Sequence, residues 1–543
     1  MGLIKNWAWV ILTVLFFGVV IALIPRGFYD LGGDSATYII LGESLARGSG
    51  FHMVNFPSEP FCFYYPPVFP LILSLLITFC GRNLFLMHMA VALLGYAGLL
   101  VFYFLFKRYA DEKIAFLSVV LLAVNPAVAE YSAGYILSDI PYLFFSGITL
   151  LAAGYYIKTE KNFFSRPGFL LICGLSLAYL SRYAGITLFF GVLAALFFLE
   201  AKVRFKKISF LVGGFILVFS SWQIFKSGHS YEFAGHMKQV FLVDPYAPYK
   251  GDLFKFPLYF VFRFVDGVNY YYYLLPQALF FIIPYKIGGV LREVLAALIF
   301  SLTFFGFWLK FKEDKKCVFH FYFVFYFLLI VFWPFREGVR FLLAILPLII
   351  YYVLCAAEFC TGLIPAFKNR GSKAADEVGI PPQRGRASGT PGFSPGGSIL
   401  KRASRCSFYA FAGMFFLASG AGLVGVKKYQ MVTYDSLPGA LKDYVSAHEW
   451  VNGHIFDEGV FLSRKPALTY FYTRHKAVDF PYTFDAGEIW LKIKENNVKY
   501  IIVDGFFVQT RDYLGSFIFQ YKDRLELIYR LRDAGIFKIR DEK

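Results

Sequence analysis

Charge is what this chain has least of. Asp, Glu, Lys and Arg together make up 17% of its 543 residues, where a soluble protein carries about 25%. A soluble globular fold is excluded for most of the length. Cysteine is sparse as well: the seven present are scattered, form no C-x-x-C pair, and stop at Cys406. That excludes a disulfide framework and the common zinc arrangements. No metal or other cofactor is read; a divalent ion is compatible with the chemistry below but not indicated. An A-x-A-like cleavage site is missing after the first apolar run, where Pro25-Arg26-Gly27 follows. That run is expected to be an uncleaved span rather than a signal peptide.

Apolar sequence fills the gap. Hydrophobic residues reach 58%, with 67 Phe and 38 Tyr, as lipid-facing surfaces and interfacial belts require. Many runs approach the roughly 20 residues that span a bilayer. The net charge of +17 is therefore not a nucleic-acid signature. Its cations fall in short loops, at Lys107-Arg108, Lys158, Lys206-Lys207 and Lys310–Lys316, and in one long loop. Placing every such loop inside gives a polytopic α-helical membrane protein with about eleven spans, N-terminus in and C-terminus out. The stretch from Lys226 to Lys286, broken by five prolines, reads as outer helices and loops.

Four parts follow from this alternation. Residues 1–360 are a transmembrane module with interfacial helices in its outer loops. Residues 361–406, rich in Gly, Pro, Ser and basic side chains, cannot bury a core and are expected to be a disordered inner loop. Residues 407–426 are the last span. Residues 427–543 are ordinary soluble sequence. There, Gly459–Leu462 and Tyr500–Val503 read as strands, and Leu437–Trp450 and Ala486–Asn496 as helices. This is a small outer α/β domain without the Gly motifs of a nucleotide site.

The stretch Gly33-Asp34-Ser35-Ala36-Thr37-Tyr38, running to Arg47-Gly48, follows the first span. Its apolar spacing suggests a short amphipathic helix on the membrane surface. Asp34 at its start is either an N-cap or a base facing a lipid-borne substrate. Asp139 has the same ambiguity, since Asp before Ile-Pro is a good helix start. Arg182, Arg336 and Arg340 fall at the outer ends of spans, with Tyr38, Tyr64 and Tyr65 near the acids as substrate contacts. The arginines are read either as snorkelling cations or as a phosphate site, because the guanidinium fork binds oxygens bidentately. A carboxylate opposite arginines suits attack by a hydroxyl on a sugar carbon whose leaving group is phosphate.

These residues and the stretches around them resemble a known family. The matching stretches are Gly33–Tyr38 with Leu45-Ala46-Arg47-Gly48, Tyr65-Pro66-Pro67-Val68-Phe69-Pro70-Leu71, Asn125-Pro126 with Ser138-Asp139-Ile140-Pro141, Leu180-Ser181-Arg182-Tyr183-Ala184-Gly185, and Arg336-Glu337-Gly338-Val339-Arg340-Phe341-Leu342 with Leu346-Pro347. In order and outer placement they are similar to GT-C glycosyltransferases of the protein O-mannosyltransferase and lipid A aminoarabinose transferase type. The resemblance covers residues 1–360. It implies an inverting transferase in the cell membrane, with its active site on the extracytoplasmic face. The donor would be a polyprenyl-phosphate sugar and the acceptor a protein, lipid or glycan. It places catalysis on Asp34 and Asp139, and donor phosphate binding on Arg182, Arg336 and Arg340. The chain departs from the pattern in having Ser35 where eukaryotic members have Glu, and Tyr65 where some lipid A transferases have a base. The competing reading is a transporter or flippase of lipid-linked sugars, which would show related halves and midplane charges.

Overall fold

The computed structural model describes residues 2–28, 32–159, 164–227, 241–242, 258–280, 289–376, 395–429 and 433–540. Helices dominate. They are α1 (Gly2–Leu23), α2 (Asp34–Ala46), α3 (Val68–Cys80), α4 (Leu84–Lys107), α5 (Glu112–Ala123), α6 (Pro126–Ala133), α7 (Asp139–Lys158), α8 (Arg166–Ser181), α9 (Ile186–Leu196), α10 (Ala201–Ser227), α11 (Leu258–Phe280), α12 (Gly289–Glu313), α13 (Val318–Phe332), α14 (Leu346–Asp376) and α15 (Pro395–Tyr429). Among the described residues, five helices are long and apolar enough to cross a membrane, or six if the bent pair α5–α6 is one span. Shorter apolar helices accompany them at Trp7–Leu23, Arg166–Ser181, Tyr183–Leu196, Val318–Phe332 and Leu346–Gly362.

Packing separates a protein-facing layer from a lipid-facing one. Helix α7 is buried along most of its length between α4 and α8, and α14 lies between α12 and α15. Buried tyrosines fill the centre, where Tyr142 and Tyr322 meet hydroxyl to hydroxyl at 3.2 Å. In hydrocarbon such hydroxyls need a protein partner, because no water is there to supply one. Helix α10, by contrast, exposes Phe205, Leu217 and Ile224, as a helix against lipid does.

Local rules set where helices start and break. Asn83 caps α4 by accepting from the Leu86 amide at 3.1 Å, and Ser165 caps α8 through Gly168. The third span expected from sequence is broken. Helices α5 and α6 meet at 54°, because Asn125 caps a new helix through the Val128 amide at 3.0 Å and Pro126 opens it. The stretch before Lys286 also differs from the expectation. Residues 258–280 form one helix, α11, that runs through Pro276 and packs on α12 and α13. A proline reads as a break in sequence, but packing neighbours hold the helix across it. Residues 228–240, 243–257 and 281–288, including His229, His236, Asp244 and Asp252, lie outside the described residues. Of the expected loop 361–406, residues 377–394 do likewise, and α14 and α15 run into it from either side.

The C-terminal domain holds α16 (Gly439–His454), β1 (Val460–Leu462), α17 (Pro466–Thr473), β2 (Ala477–Val478), α18 (Ala486–Glu495), β3 (Val498–Val503), α19 (Gly515–Gln520), β4 (Leu525–Leu531) and β5 (Ala534–Ile539). Its sheet has the order β2-β1-β3-β5-β4. Strand β1 is parallel to both β2 and β3, while β5 is antiparallel to β3 and β4. The two strands and two helices expected from sequence are present.

Candidate active site

Helix α2 is the platform of the site. It is not the half-exposed surface helix its sequence suggests: Ser35 through Ser44 are all buried. Helix α3 covers one side, and α17 of the C-terminal domain covers another. Its polar residues are spent internally. Thr37 bonds back to the Gly33 carbonyl at 3.0 Å, and Ser35 accepts from the Ile136 amide at 3.2 Å.

The start of α2 removes the N-cap reading of Asp34. The cap position is taken by Gly33, at φ 91°, with no side-chain cap bond. Only glycine takes this left-handed turn without strain. Asp34 is thus the first helical residue, and its carboxylate points elsewhere. Tyr65 donates its hydroxyl to Asp34 Oδ1 at 2.7 Å, and Arg340 Nη1 donates to Oδ2 at 2.7 Å. The same change of use occurs at Asp139. Ser138 stands at the cap without capping, and its Oγ lies 2.7 Å from the Tyr38 hydroxyl instead. Arg182 Nη1 donates to Asp139 Oδ1, and Arg340 Nε donates to Oδ2 at 3.0 Å.

Six predicted residues therefore form or adjoin one network. Arg340 bridges both acids, Arg182 backs Asp139, and Tyr38 packs edge-on against Tyr65 at 4.9 Å. Arg340 is aimed by a 3-10 turn, Gly338–Leu342. Gly338, at φ 62°, enters that turn, and its amide donates to the Tyr270 hydroxyl at 3.0 Å. Tyr64 lies beside the network, is 57% exposed, and faces Asp479 of the C-terminal domain. Arg336 does not join it. That side chain pairs with Asp266 at 3.1 Å and donates to the Val331 carbonyl at 3.2 Å.

Exposure divides the two acids. The Asp139 side chain is 3% exposed, whereas that of Asp34 is 33% exposed. Only Asp34 can be touched by an arriving substrate. Burial pushes its carboxyl up, but Arg340, the Tyr65 hydrogen bond and Lys465 together outweigh this and hold it below the ordinary carboxylate value. Tyr65 moves the other way: burial and the Asp34 charge keep it a protonated donor. Burial opposes the Arg340 charge, and the two carboxylates more than offset that.

Several participants carry no sequence signal. Lys465 of the C-terminal domain donates to the Gly32 carbonyl at 2.6 Å, next to Asp34. Glu43, at the far end of α2, is bound by Arg474 at 2.8 Å and lies 3.5 Å from Arg82. On the surface helix read from sequence, Glu43 is an ordinary solvent-facing charge, and nothing in sequence points to Lys465 or Arg474. Among the described residues, no three His, Cys, Asp or Glu side chains gather as metal ligands.

Comparison with known proteins agrees with this layout. The family described as dolichyl-phosphate-mannose-protein mannosyltransferase matches residues 65–225, a range that holds Tyr65, Asp139 and Arg182. No curated protein sequence matches. The solved structure of ArnT from Cupriavidus metallidurans bound to undecaprenyl phosphate is 12% identical, with a TM-score of 0.56 over 98% of this chain and 97% of that one. The archaeal oligosaccharyltransferase AglB from Archaeoglobus fulgidus, in complex with an inhibitory peptide and a dolichol-phosphate, is 13% identical. Its TM-score is 0.51, over 92% of this chain and 69% of that one. The chain thus has the GT-C fold of these membrane glycosyltransferases, as its motifs suggested.

Proposed function

We propose that the chain transfers a sugar, a hexose or pentose, from a polyprenyl-phosphate carrier to the hydroxyl of an extracytoplasmic acceptor, with inversion at C1. The acceptor oxygen attacks C1 from the face opposite the phosphate. The new C1–O bond forms as the old one breaks, the hydroxyl proton passes to Asp34, and polyprenyl phosphate leaves. Phosphate is a good leaving group, so no second acid is needed, unlike in glycoside hydrolases.

In this reading Asp34 is the base, and Asp139 holds the cations that position it. Arg340, kept charged between two carboxylates, orients Asp34 and adds positive field where the phosphate departs. Arg182, beside Asp139, and Arg336, outside the network, are assigned to the donor phosphate, with Tyr64 and Tyr65 lining the approach and Tyr38 buried behind them. The donor class is supported by the undecaprenyl phosphate of ArnT and the dolichol-phosphate of AglB. The alternation of basic loops supports the cell membrane as location and its outer face as the side of the site.

The observation that carries this is the pairing of a one-third exposed Asp34 with a buried Asp139 through one arginine. A secondary transporter carries its functional charges near the midplane on broken helices, whereas Asp34 stands at the start of α2 against the C-terminal domain. The test is a panel of labelled undecaprenyl-phosphate sugars given to the purified protein with an envelope extract. Release of lipid phosphate with label moving to the extract is expected. Movement of intact lipid-linked sugar across vesicles, without release, would select the transporter.

A further inference from the structure

The C-terminal domain grips α2 at both ends. At the far end, Arg474 takes the Glu43 carboxylate with two bonds, Nη1 to Oε2 at 2.8 Å and Nη2 to Oε1 at 3.2 Å. The Glu43 side chain is 5% exposed and that of Arg474 43%, so a buried carboxylate is held bidentately by a guanidinium that reaches solvent. At the near end, the Lys465 ammonium sits on the Gly32 carbonyl at 2.6 Å. Its stem passes 3.4 Å from where a Cβ on Gly33 would lie. Larger side chains at Gly33 would therefore meet this lysine.

Both grips come from one element. Lys465 stands at the start of α17 and Arg474 at its end. Lys465 to Arg474 and Asp34 to Glu43 have the same separation in sequence. The contacts made are Lys465 to Gly32, before the start of α2, and Arg474 to Glu43, near its end. The start of α17 is itself fixed, since the Lys465 amide donates to Ser463 Oγ at 3.1 Å, and Ser463 Oγ also accepts from Thr469 at 2.8 Å. Position and charge at Lys465 are thus set by the domain core, not by the membrane helices.

We propose that Lys465 is a positioning residue for Asp34, so that seating of the C-terminal domain on α2 through Glu43 and Arg474 is a condition of turnover. Its ammonium holds the Gly32–Gly33 turn that aims the carboxylate, and its charge favours the ionised acid. This rests on the reading of Asp34 as the base. The groups that face Asp34 are Arg340 from the 3-10 turn, Tyr65 from the stretch before α3, Tyr38 from α2 itself and Lys465 from α17. Asp139 of α7 acts on it through Arg340, near which Glu337 and Tyr131 also lie. Of these, only Lys465 belongs to the C-terminal domain.

The test uses the full chain and the undecaprenyl-phosphate sugar that it turns over fastest. Lys465→Gln removes the charge and, with a side chain one atom shorter, withdraws the donor from Gly32. It is expected to fold, to lose at least about tenfold in kcat with donor KM within about twofold, and to move the acid limb of kcat/KM to higher pH. Lys465→Arg restores both rate and limb. Arg474→Gln, remote from Asp34, lowers kcat in the same direction. An unmoved acid limb in Lys465→Gln overturns the proposal, whatever happens to the rate, because a packing role alone does not change the ionisation of Asp34. Asp34→Asn is run beside it: if that variant stays active, the base reading fails, and if it is dead while Lys465→Gln is normal, only this inference fails.

Discussion

Arg340 and Asp34, far apart in sequence, meet at 2.7 Å. The same guanidinium reaches Asp139 at 3.0 Å, so the 3-10 turn Gly338–Leu342 ties together the starts of two helices. Each prediction below perturbs one arm of this network.

Asp139 is the arm with the largest structural weight. It is 3% exposed and serves two guanidiniums that are 16% and 13% exposed. Asp139→Asn leaves two buried cations facing each other, and breaking such a pair typically costs about 3–5 kcal/mol. Thermal unfolding in detergent should show Asp139→Asn well below both wild type and Asp34→Asn. Equal midpoints for the two variants would mean that Asp139 is not the structural anchor.

Tyr65 tunes the acid. Its hydrogen bond favours ionised Asp34, so removing the hydroxyl raises the carboxyl pKa. Tyr65→Phe should shift the acid limb of kcat/KM upward while leaving the rate at neutral pH close to that of wild type, where the carboxylate is still ionised. A pH-rate profile checks this; a limb that stays put or moves down contradicts it.

Arg336 and Arg340 should part company. Arg336, outside the carboxylate network, is assigned to donor phosphate alone. Arg336→Ala should weaken undecaprenyl phosphate binding about tenfold, the loss of one charge-assisted bond at a partly exposed site, with the acid limb unmoved. Arg340→Ala should weaken binding and also raise the limb. Unchanged lipid affinity in Arg336→Ala would leave that side chain as the partner of Asp266 only.

What the sequence showed, and what it did not, divides along physical lines. Apolar run length is a local property; about eleven spans were expected from it, and among the described residues five helices, or six with the bent pair α5–α6, are long and apolar enough to cross a membrane, accompanied by shorter apolar helices. Asp34, Asp139, Arg182 and Arg340 were legible because charge is rare at such positions. Their pairing was not, since it depends on how α2, α7 and the 3-10 turn converge. The amphipathic reading of α2 failed because Ser35, Thr37 and Ser44 look solvent-facing in sequence, yet they bond to backbone inside the protein or lie fully buried. Arg336 was grouped with Arg340 because both fall at ends of spans, but the turn through Gly338 sends them to different partners. Strands β4 and β5 were missed because charged residues interrupt their apolar pattern. Lys465 and Arg474 were invisible because their role comes from domain docking.

The central claim is that Asp34 acts through its basicity, and Asp34→Asn tests it most directly. The helix start is set by Gly33 rather than by an Asp34 cap, and Asn still offers an acceptor to Tyr65 or Arg340, so the variant should fold and bind undecaprenyl phosphate as wild type does. Loss of a general base costs about 100- to 10,000-fold in rate. Transfer rate and lipid affinity should be measured on the same purified variant. The account predicts intact affinity with transfer reduced by at least about a hundredfold; retention of more than about a tenth of the wild-type rate, far short of a general-base loss, contradicts it.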